Sequence, residues 1–373
     1  MRKSAITLFL LSIVATSVEA QRPNRFDQWD KNTDGKLSRE ELPAPLQKNF
    51  DRVDQDGDGF ISRKEDEAIR SGTGQGKGKG EEKAGSDKVD RIEGVDYAGT
   101  GNPRQALDLF LPKDHDRETE ALPLLVFIHG GGWAKGDKTS GGRRLTEYVS
   151  RGKFVGASIG YRLTDEAQWP SQIHDCKAAI RWLRANAGEY GIDPDRIAVW
   201  GTSAGGHLVA MLGVAGDVPE LEGEVGPHAG VSSEVTCVVN FFGPSELLTM
   251  DDHPGRMTHN APDSPESKLV GGTLQEHPEV AKNASPITWV SDADEPSLIV
   301  HGTEDQLVPY PQSVSLEKAL EEVGVSTVLL TVEGGGHGQG FGPAVDKAVR
   351  AFLDHQLYGN ELSLEDSTVA AGE

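Results

Sequence analysis

The stretch Gly201-Thr202-Ser203-Ala204-Gly205 constrains the fold of this chain more than any other. Residues 196–200 before it are β-branched and aromatic and predict a strand, while the small and apolar residues 207–216 after it predict a buried helix. A serine with a glycine two residues away on each side, at a sharp strand-to-helix turn, is the pattern of a nucleophile elbow. The glycines lack the Cβ atoms that would collide in this turn. Ser203 is therefore the candidate nucleophile, with a glycine-rich packing loop as the alternative.

Strand-like and helix-like runs alternate over residues 89–358, which predicts an α/β domain with a mostly parallel sheet covered by helices on both faces. The predicted strands lie near 92–97, 105–111, 124–129, 154–159, 196–200, 235–242, 297–301 and 327–332. The predicted helices lie near 141–151, 170–189, 204–214, 311–323 and 343–357. Eight strands with the elbow after the fifth is the order of the α/β-hydrolase fold. The first two strands are expected to pair antiparallel at one edge.

Two further residues complete a candidate catalytic triad. Acyl transfer by a serine needs a base for the hydroxyl proton and a carboxylate that orients the base. Asp305 follows a buried strand and is favoured over its neighbour Glu304, whose side chain should point the other way. His337 lies in a glycine-rich loop after the last predicted strand. The order Ser203, Asp305, His337 is the serine–acid–histidine order of this fold.

The segment His129-Gly130-Gly131-Gly132-Trp133 follows a predicted strand and has the form of an HGGG-type oxyanion loop. Its glycines let the backbone approach a substrate carbonyl without obstruction by side chains. We predict that the N–H groups of Gly131, Gly132 and Ala204 bind the oxyanion. No HExxH or Cys–His cluster in the sequence indicates a catalytic metal.

Residues 21–70 contain two twelve-residue stretches that match calcium-binding loops. The predicted ligands of the first loop are Asp30, Asn32, Asp34, Lys36 (through its carbonyl) and Glu41. Those of the second loop are Asp54, Asp56, Asp58, Phe60 (through its carbonyl) and Glu65. The sequence predicts an EF-hand pair that binds Ca²⁺ outside the catalytic site, with a dockerin module as the alternative. Its role stays open, a calcium-mediated surface or protein contact included; no organic cofactor is predicted.

The flanking segments predict an exported protein. Arg2 and Lys3 precede an uncharged apolar run that ends in Val18-Glu19-Ala20, so residues 1–20 are predicted to be a secretory signal peptide.

Two further segments are predicted to lack a fixed structure. Residues 71–88 are predicted as a flexible glycine-rich linker and 359–373 as a disordered acidic tail. The net charge of −22 argues against nucleic acid or an anionic membrane as a partner. We expect a periplasmic or extracellular protein.

The two cysteines, Cys176 and Cys237, lie in a predicted helix and a predicted strand. An even number of cysteines in an oxidising compartment permits one disulfide, and two buried thiols are the alternative.

With these residues in view, the main domain resembles the bifunctional feruloyl and acetyl-xylan esterase (BD-FAE) family of α/β-hydrolases. The matching stretches are HGGGWAKGDK at 129–138, the run around the elbow at 169–208, FFGPSELL at 241–248, SPESKLVGG at 264–272 and HGTEDQLVP at 301–309. The resemblance implies hydrolysis of carboxylic esters, often acetyl or feruloyl groups on plant or algal polysaccharides, without an organic cofactor. The calcium loops lie outside it. Hormone-sensitive-lipase-like esterases usually carry Asp where this elbow has Thr202.

Residues 245–285 join the sixth and seventh predicted strands, where this fold inserts its cap. The segment is polar, whereas a lipase needs an apolar lid, so we expect short-acyl or sugar-ester substrates. An arylformamidase-type amide hydrolase on the same scaffold is one alternative, since amide cleavage uses the same triad. A non-enzymatic calcium-dependent binding protein is the other, and the intact catalytic constellation argues against it.

Overall fold

A computed structural model describes residues 25–32, 35–43, 47, 50–53, 60–63, 65–66, 87–216, 218–253, 255–361 and 365–373. The chain divides into two compact units, residues 1–81 and 82–373. The predicted signal peptide and most of the predicted linker lie outside the described residues. Within the described part of the chain, no helix has the length and apolar character needed to cross a membrane.

The first unit is built around a pair of two-residue strands. Lys36–Leu37 pairs antiparallel with Ile61–Ser62, and the described helical segments are Arg25–Trp29, Arg39–Glu41 and Phe50–Val53. A small apolar core joins them, and its buried members are Phe26, Leu37, Leu42, Phe50 and Ile61. Each two-residue strand comes from one of the predicted calcium loops. The strand pair therefore holds the two loops side by side.

In the second unit, the described residues contain one nine-stranded sheet. Its strands are β1 (Val89–Asp96), β2 (Ala106–Pro112), β3 (Leu122–Ile128), β4 (Val155–Ile159), β5 (Ile192–Thr202), β6 (Cys237–Phe241), β7 (Ser297–Gly302), β8 (Thr327–Glu333) and β9 (Ser367–Ala370). Across the sheet the order is β9-β8-β7-β6-β5-β3-β4-β2-β1. β2 pairs antiparallel with β1 and with β4, and the other six pairs are parallel.

Helices cover both faces of this sheet. They are α1 (Gly142–Val149), α2 (Ser171–Ala185), α3 (Ala187–Tyr190), α4 (Ala204–Val214), α5 (Pro265–Val270), α6 (Pro278–Asn283), α7 (Pro311–Glu322) and α8 (Pro343–Tyr358). Single 3₁₀ turns occur at Pro103–Gln105, Lys138–Gly141, Pro219–Leu221, Leu247–Asp252 and Pro286–Trp289. The predicted helix 170–189 is broken at Asn186 into α2 and α3.

Side chains alternate between the two faces of the sheet along the central strands, and they build one apolar core on each face. In β3, Leu124 and Ile128 join the apolar cluster that contains α2 and α4, whereas Leu125 and Phe127 join the cluster that contains α1 and α8. All seven residues of β3 are buried, as expected for a strand covered on both faces. The sheet thus lies in the middle of three layers, and its carboxyl edge is left for loops.

The prediction of a disordered tail at 359–373 is wrong for its last residues. β9 pairs parallel with β8 from Leu330↔Ser367 to Glu333↔Ala370, which adds a ninth strand to the eight predicted. Such pairing needs backbone groups rather than a long apolar run, and the acidic composition of the tail concealed it. Val369 supplies the apolar contact by packing on the core beside α8.

Cys176 and Cys237 are both free and buried, so the two-thiol alternative is correct and the disulfide is absent. Burial raises the pKa of both thiols above the usual range because it disfavours the thiolate. Both side chains therefore behave as small apolar residues of the core.

Candidate active site

The elbow holds Ser203 in an unusual backbone conformation. Its φ is 57° and its ψ is −123°, between the end of β5 and the start of α4. The Ser203 N–H donates to the carbonyl of Phe241 (2.9 Å), and the Ser203 carbonyl accepts from the N–H of His207 (2.9 Å). A non-glycine residue at this φ is strained, and the neighbouring strand and helix must hold it there. The turn presents Ser203, half-buried, at the carboxyl edge of the sheet.

Close backbone packing explains the glycines of the elbow. A Cβ atom on Gly201 would overlap the carbonyl of Gly205, and one on Gly205 would overlap the carbonyl of Ile128. Both overlaps involve backbone atoms, which cannot rotate away. The elbow therefore packs directly against the end of β3, where the register pairs Ile128 with Gly201.

Asp305 is a buried carboxylate held by four donors. Its Oδ1 accepts the N–H groups of Leu307 (2.8 Å) and Val308 (3.0 Å), while its Oδ2 lies 2.7 Å from Nδ1 of His337. Burial by itself would raise the pKa of Asp305, but hydrogen bonds from His301 and His337 and the backbone donors outweigh it. The pKa therefore lies well below its usual range. Glu304, the competing residue, is exposed.

His337 is positioned between Asp305 and an aromatic ring. Because the carboxylate accepts from Nδ1, the proton of the neutral imidazole lies on Nδ1 and Nε2 is the basic nitrogen. The ring centroid of Phe242 lies 4.4 Å from that of His337. Phe242 directly follows Phe241, which accepts the hydrogen bond from Ser203. Ser203 and His337 thus contact adjacent residues of the chain, Phe241 and Phe242.

His301 is a contributor that sequence reasoning missed. It is fully buried, and its Nε2 lies 3.3 Å from Oδ2 of Asp305 and 3.0 Å from the carbonyl of Val308. Its Nδ1 lies 2.6 Å from the hydroxyl of Ser313. Since both neighbours of Nε2 are acceptors, Nε2 carries the proton and donates. The spacing His301-x-x-x-Asp305 across the turn after β7 was the available signal.

The predicted oxyanion loop leaves the sheet beside the nucleophile. Gly131 and Gly132 have φ values of 111° and 59°. A Cβ on Gly130 would lie 2.6 Å from the carbonyl of Thr202 and 3.3 Å from Cβ of Ser203. Among the described residues, no group accepts a hydrogen bond from the N–H of Gly131, Gly132 or Ala204. These three N–H groups therefore remain the candidate donors to a developing oxyanion.

Trp133 and His207 tie this loop to the nucleophile helix. The buried Trp133 has a φ of 53°, and its indole N–H donates to Nδ1 of His207 (3.3 Å). The other ring nitrogen of His207 lies 2.6 Å from the carbonyl of Ala284, so it carries the proton. Burial lowers the pKa of His207 to about 4 and keeps the ring neutral. His207 lies in the first turn of α4, and no pattern in the sequence indicates these contacts.

The two ends of the cap segment, residues 245–287, are hydrogen-bonded to each other at its base. The Leu247 N–H donates to the Ser285 hydroxyl (3.0 Å), and the Ile287 N–H donates to the carbonyl of Ser245 (3.2 Å). Inside this base the segment forms α5 and α6. A Cβ on Gly132 would lie 3.0 Å from Cβ of Pro265, so the start of α5 touches the oxyanion loop.

The described calcium-loop residues suit a cation with oxygen ligands. In the first loop, Glu41 at position 12 reaches back to position 3, since its Oε1 accepts the N–H groups of Lys31 (3.1 Å) and Asn32 (3.4 Å). The Asp30 carboxylate accepts from the N–H of Gly35 (2.9 Å), whose φ of 80° makes the bend. Position 12 thus lies against positions 2 and 3, and position 1 lies against position 6, as in a loop that folds around a Ca²⁺ ion.

In the second loop, Glu65 at position 12 accepts from the N–H and hydroxyl of Ser62 (2.7 and 2.8 Å), which parallels Glu41 with Ser38 in the first loop. Lys36 and Phe60 lie at or beside the strand pair that joins the loops. The remaining predicted ligands, Asp34, Asp54, Asp56 and Asp58, lie outside the described residues.

In this mostly parallel sheet the strained serine follows β5, the acid follows β7 and the histidine follows β8. This arrangement defines the α/β-hydrolase class. The BD-FAE family model matches residues 107–320, more than half of the chain, and the chain belongs to that family. A family model described as EF hand matches residues 24–43 and 46–65.

Named relatives and solved structures agree with this class. Esterase LipC of Mycobacterium tuberculosis is 35% identical over 238 residues, 64% of this chain and 57% of LipC. A truncated carbohydrate esterase from gut microbiota is 33% identical with a TM-score of 0.68, over 73% of this chain and 98% of that one. Esterase 2 of Thermogutta terrifontis, described as phosphonylated by sarin, is 26% identical with a TM-score of 0.60, over 74% and 97%. The chain spans about half the length of the curated relatives it matches.

Proposed function

We propose that this protein is a secreted serine carboxylesterase that hydrolyses short-acyl or aryl esters, such as acetyl or feruloyl groups on polysaccharides. The observation that carries the proposal is the pair of Asp305 and His337, joined at 2.7 Å, at the sheet edge that bears the strained Ser203. Membership of the BD-FAE family and similarity to proteins named as esterases, one of them a carbohydrate esterase, support it.

In the proposed reaction, the hydroxyl oxygen of Ser203 attacks the ester carbonyl while Nε2 of His337 takes its proton. The carbonyl oxygen becomes an oxyanion that accepts from the N–H groups of Gly131, Gly132 and Ala204. Collapse of this intermediate breaks the ester bond, and the alcohol leaves with the proton from His337. Water then attacks the acyl-enzyme by the same route, which releases the acid and restores the serine.

The charge on Asp305 has a defined part in this cycle. When His337 takes the proton it becomes a cation, and the buried carboxylate 2.7 Å away stabilises that charge while it holds the ring in place. The depressed pKa of Asp305 keeps it ionised at every pH at which the enzyme would work. His301 contributes because it is one of the donors that lower this pKa.

The test is acid release from acetylated xylan, methyl ferulate, a long-chain triglyceride and N-formylkynurenine, with Ser203→Ala as the matched variant. We expect release of acetate or ferulate that Ser203→Ala loses by a factor of at least about 10³. A fluorophosphonate probe should label the wild type at Ser203 and leave the variant unlabelled. Faster cleavage of the triglyceride would contradict the short-acyl assignment, and N-formylkynurenine as the sole substrate would favour amide hydrolysis. Activity in Ser203→Ala would contradict the triad.

Export is tested separately. If residues 1–20 are a cleaved signal peptide, the protein recovered from periplasm or medium begins at Gln21 by mass spectrometry. Retention of residues 1–20 in the recovered protein would contradict export by this route.

A further inference from the structure

The loop that carries His337 is rich in glycine and needs external support. Residues 334–342 read GGGHGQGFG, six glycines in nine residues, and Gly334, Gly338 and Gly340 have positive φ values. Such a sequence has a large conformational entropy when it is free. A catalytic histidine on this loop must therefore be held by contacts that come from elsewhere in the chain.

The first half of this loop is tied to the segment that carries Asp305. The Gly334 N–H donates to the hydroxyl of Thr303 (2.9 Å), and the carbonyl of Gly335 accepts from the N–H of Glu304 (2.8 Å). These bonds fix the loop as far as Gly335, two residues before His337. They leave the return half, 338–342, to other partners.

The return half is held by the C-terminal tail. The Gly372 N–H donates to the carbonyl of Gly340 (2.7 Å). Just past this half, at the start of α8, the N–H of Ala344 donates to the carbonyl of Glu373 (3.0 Å). A Cβ on Gly340 would lie 2.7 Å from Cβ of Ala371, so the two backbones are in close contact. Phe341 is the apolar anchor of this half and packs on Phe241 and Phe242.

The tail is itself fixed to the sheet. β9 pairs with β8, the Ala371 N–H donates to the carbonyl of Glu333 (2.9 Å), and Asp366 accepts from the N–H of Leu329 (2.9 Å). The tail thus connects the edge of the sheet to the return half of the loop that carries His337. It lies outside the segment matched by the family model, 107–320.

We propose that residues 366–373 form a clamp that positions His337, with Ala371, Gly372 and Glu373 as the positioning residues. This inference rests on the proposed function, because it assigns the tail a part in holding the proposed base. β9 supplies the attachment, and the three residues after it restrain the loop. Without them, the loop keeps its contacts to Thr303 and Glu304 but samples positions in which Nε2 of His337 is displaced from Ser203.

Two shortened chains separate the clamp from the strand. One ends after Ala370 and keeps β9, and the other ends after Glu365 and lacks it. We expect kcat for an acetyl ester, per site titrated with the fluorophosphonate, to fall on the order of tenfold in the first and further in the second, with KM nearly unchanged. Backbone amides of 338–342 should exchange with deuterium faster in both. The synthetic peptide DSTVAAGE should restore kcat to the second chain, and a scrambled peptide should not.

Wild-type kcat and wild-type exchange at 338–342 in the chain that ends after Ala370 would overturn the clamp. A fall in activity that is fully explained by fewer titrated sites, with kcat per site unchanged, would also overturn it. So would a failure of the peptide to restore kcat to the chain that ends after Glu365, although the peptide binds to that chain. Ser203→Ala, assayed alongside, distinguishes the two proposals. Activity in that variant refutes the triad, whereas an inactive Ser203→Ala with a fully active shortened chain refutes the clamp alone.

Discussion

Replacement of Ser203 by glycine is expected to stabilise the protein while it abolishes activity. Ser203 has a φ of 57° and a ψ of −123°, a conformation that costs a non-glycine residue about 1–3 kcal/mol. Glycine adopts it without this strain but loses about 0.5–1 kcal/mol through its more flexible unfolded chain. The net gain is about 1 kcal/mol. For a unit of this size, this raises the melting temperature by roughly 2 °C.

Ser203→Ala is the matched control, because alanine removes the hydroxyl but keeps the Cβ and therefore the strain. Thermal unfolding is followed by tryptophan fluorescence, since five of the six tryptophans lie in the 82–373 unit. We expect the glycine variant to melt above the alanine variant. At an unstrained position the order would be reversed by about 2 °C. A glycine variant that melts below the alanine variant would therefore refute the reasoning.

Three further predictions concern charged groups. Asp305→Asn is expected to lower kcat by about 10³–10⁴-fold, because His337 loses the carboxylate that fixes its tautomer. Since the folded pKa of Asp305 lies below the unfolded value of about 3.9, its charge stabilises the fold fully above that pH. This contribution starts to be lost as the pH falls below about 3.9, and the loss is complete once the pH has fallen through the folded pKa. The difference in urea midpoint between wild type and Asp305→Asn should therefore shrink from pH 5 to pH 3; a constant difference would count against the assignment. For the EF-hand pair, calorimetric titration of the full chain should show two Ca²⁺ ions, and Glu41→Gln or Glu65→Gln should each weaken one site on the order of tenfold. Heats identical to wild type in both variants would contradict calcium binding through position 12.

The succession of strands along the chain and the position of the elbow could be predicted because they depend on local patterns. Glycine spacing around Ser203 and the apolar runs of the central strands identify both without any knowledge of distant contacts. The family is confirmed for the same reason, since its motifs are contiguous in sequence. The triad, which no comparison tests, stays a prediction supported by geometry.

The residues that sequence reasoning missed act through contacts that depend on how the chain turns and packs. His301 reaches Asp305 because the chain turns back after β7, and His207 reaches Trp133 because β3 and β5 are neighbours in the sheet. Neither contact leaves a periodic signal. β9 was missed for a different reason, because one apolar side chain and four backbone pairs are enough to dock an edge strand and too few to change the composition of an acidic tail.

The closed base of the cap segment has a consequence for how this protein can change over evolution. Because Ser245 and Leu247 are bonded to Ile287 and Ser285, the chain between them begins and ends at one point of the scaffold. The entropic cost of closing such an excursion grows only with the logarithm of its length, so residues gained or lost in its exposed loops cost little. New binding surfaces can therefore be acquired there by insertion or deletion while the sheet edge that carries the nucleophile keeps its geometry. Substrate range and catalytic chemistry can thus diverge at different rates in one chain.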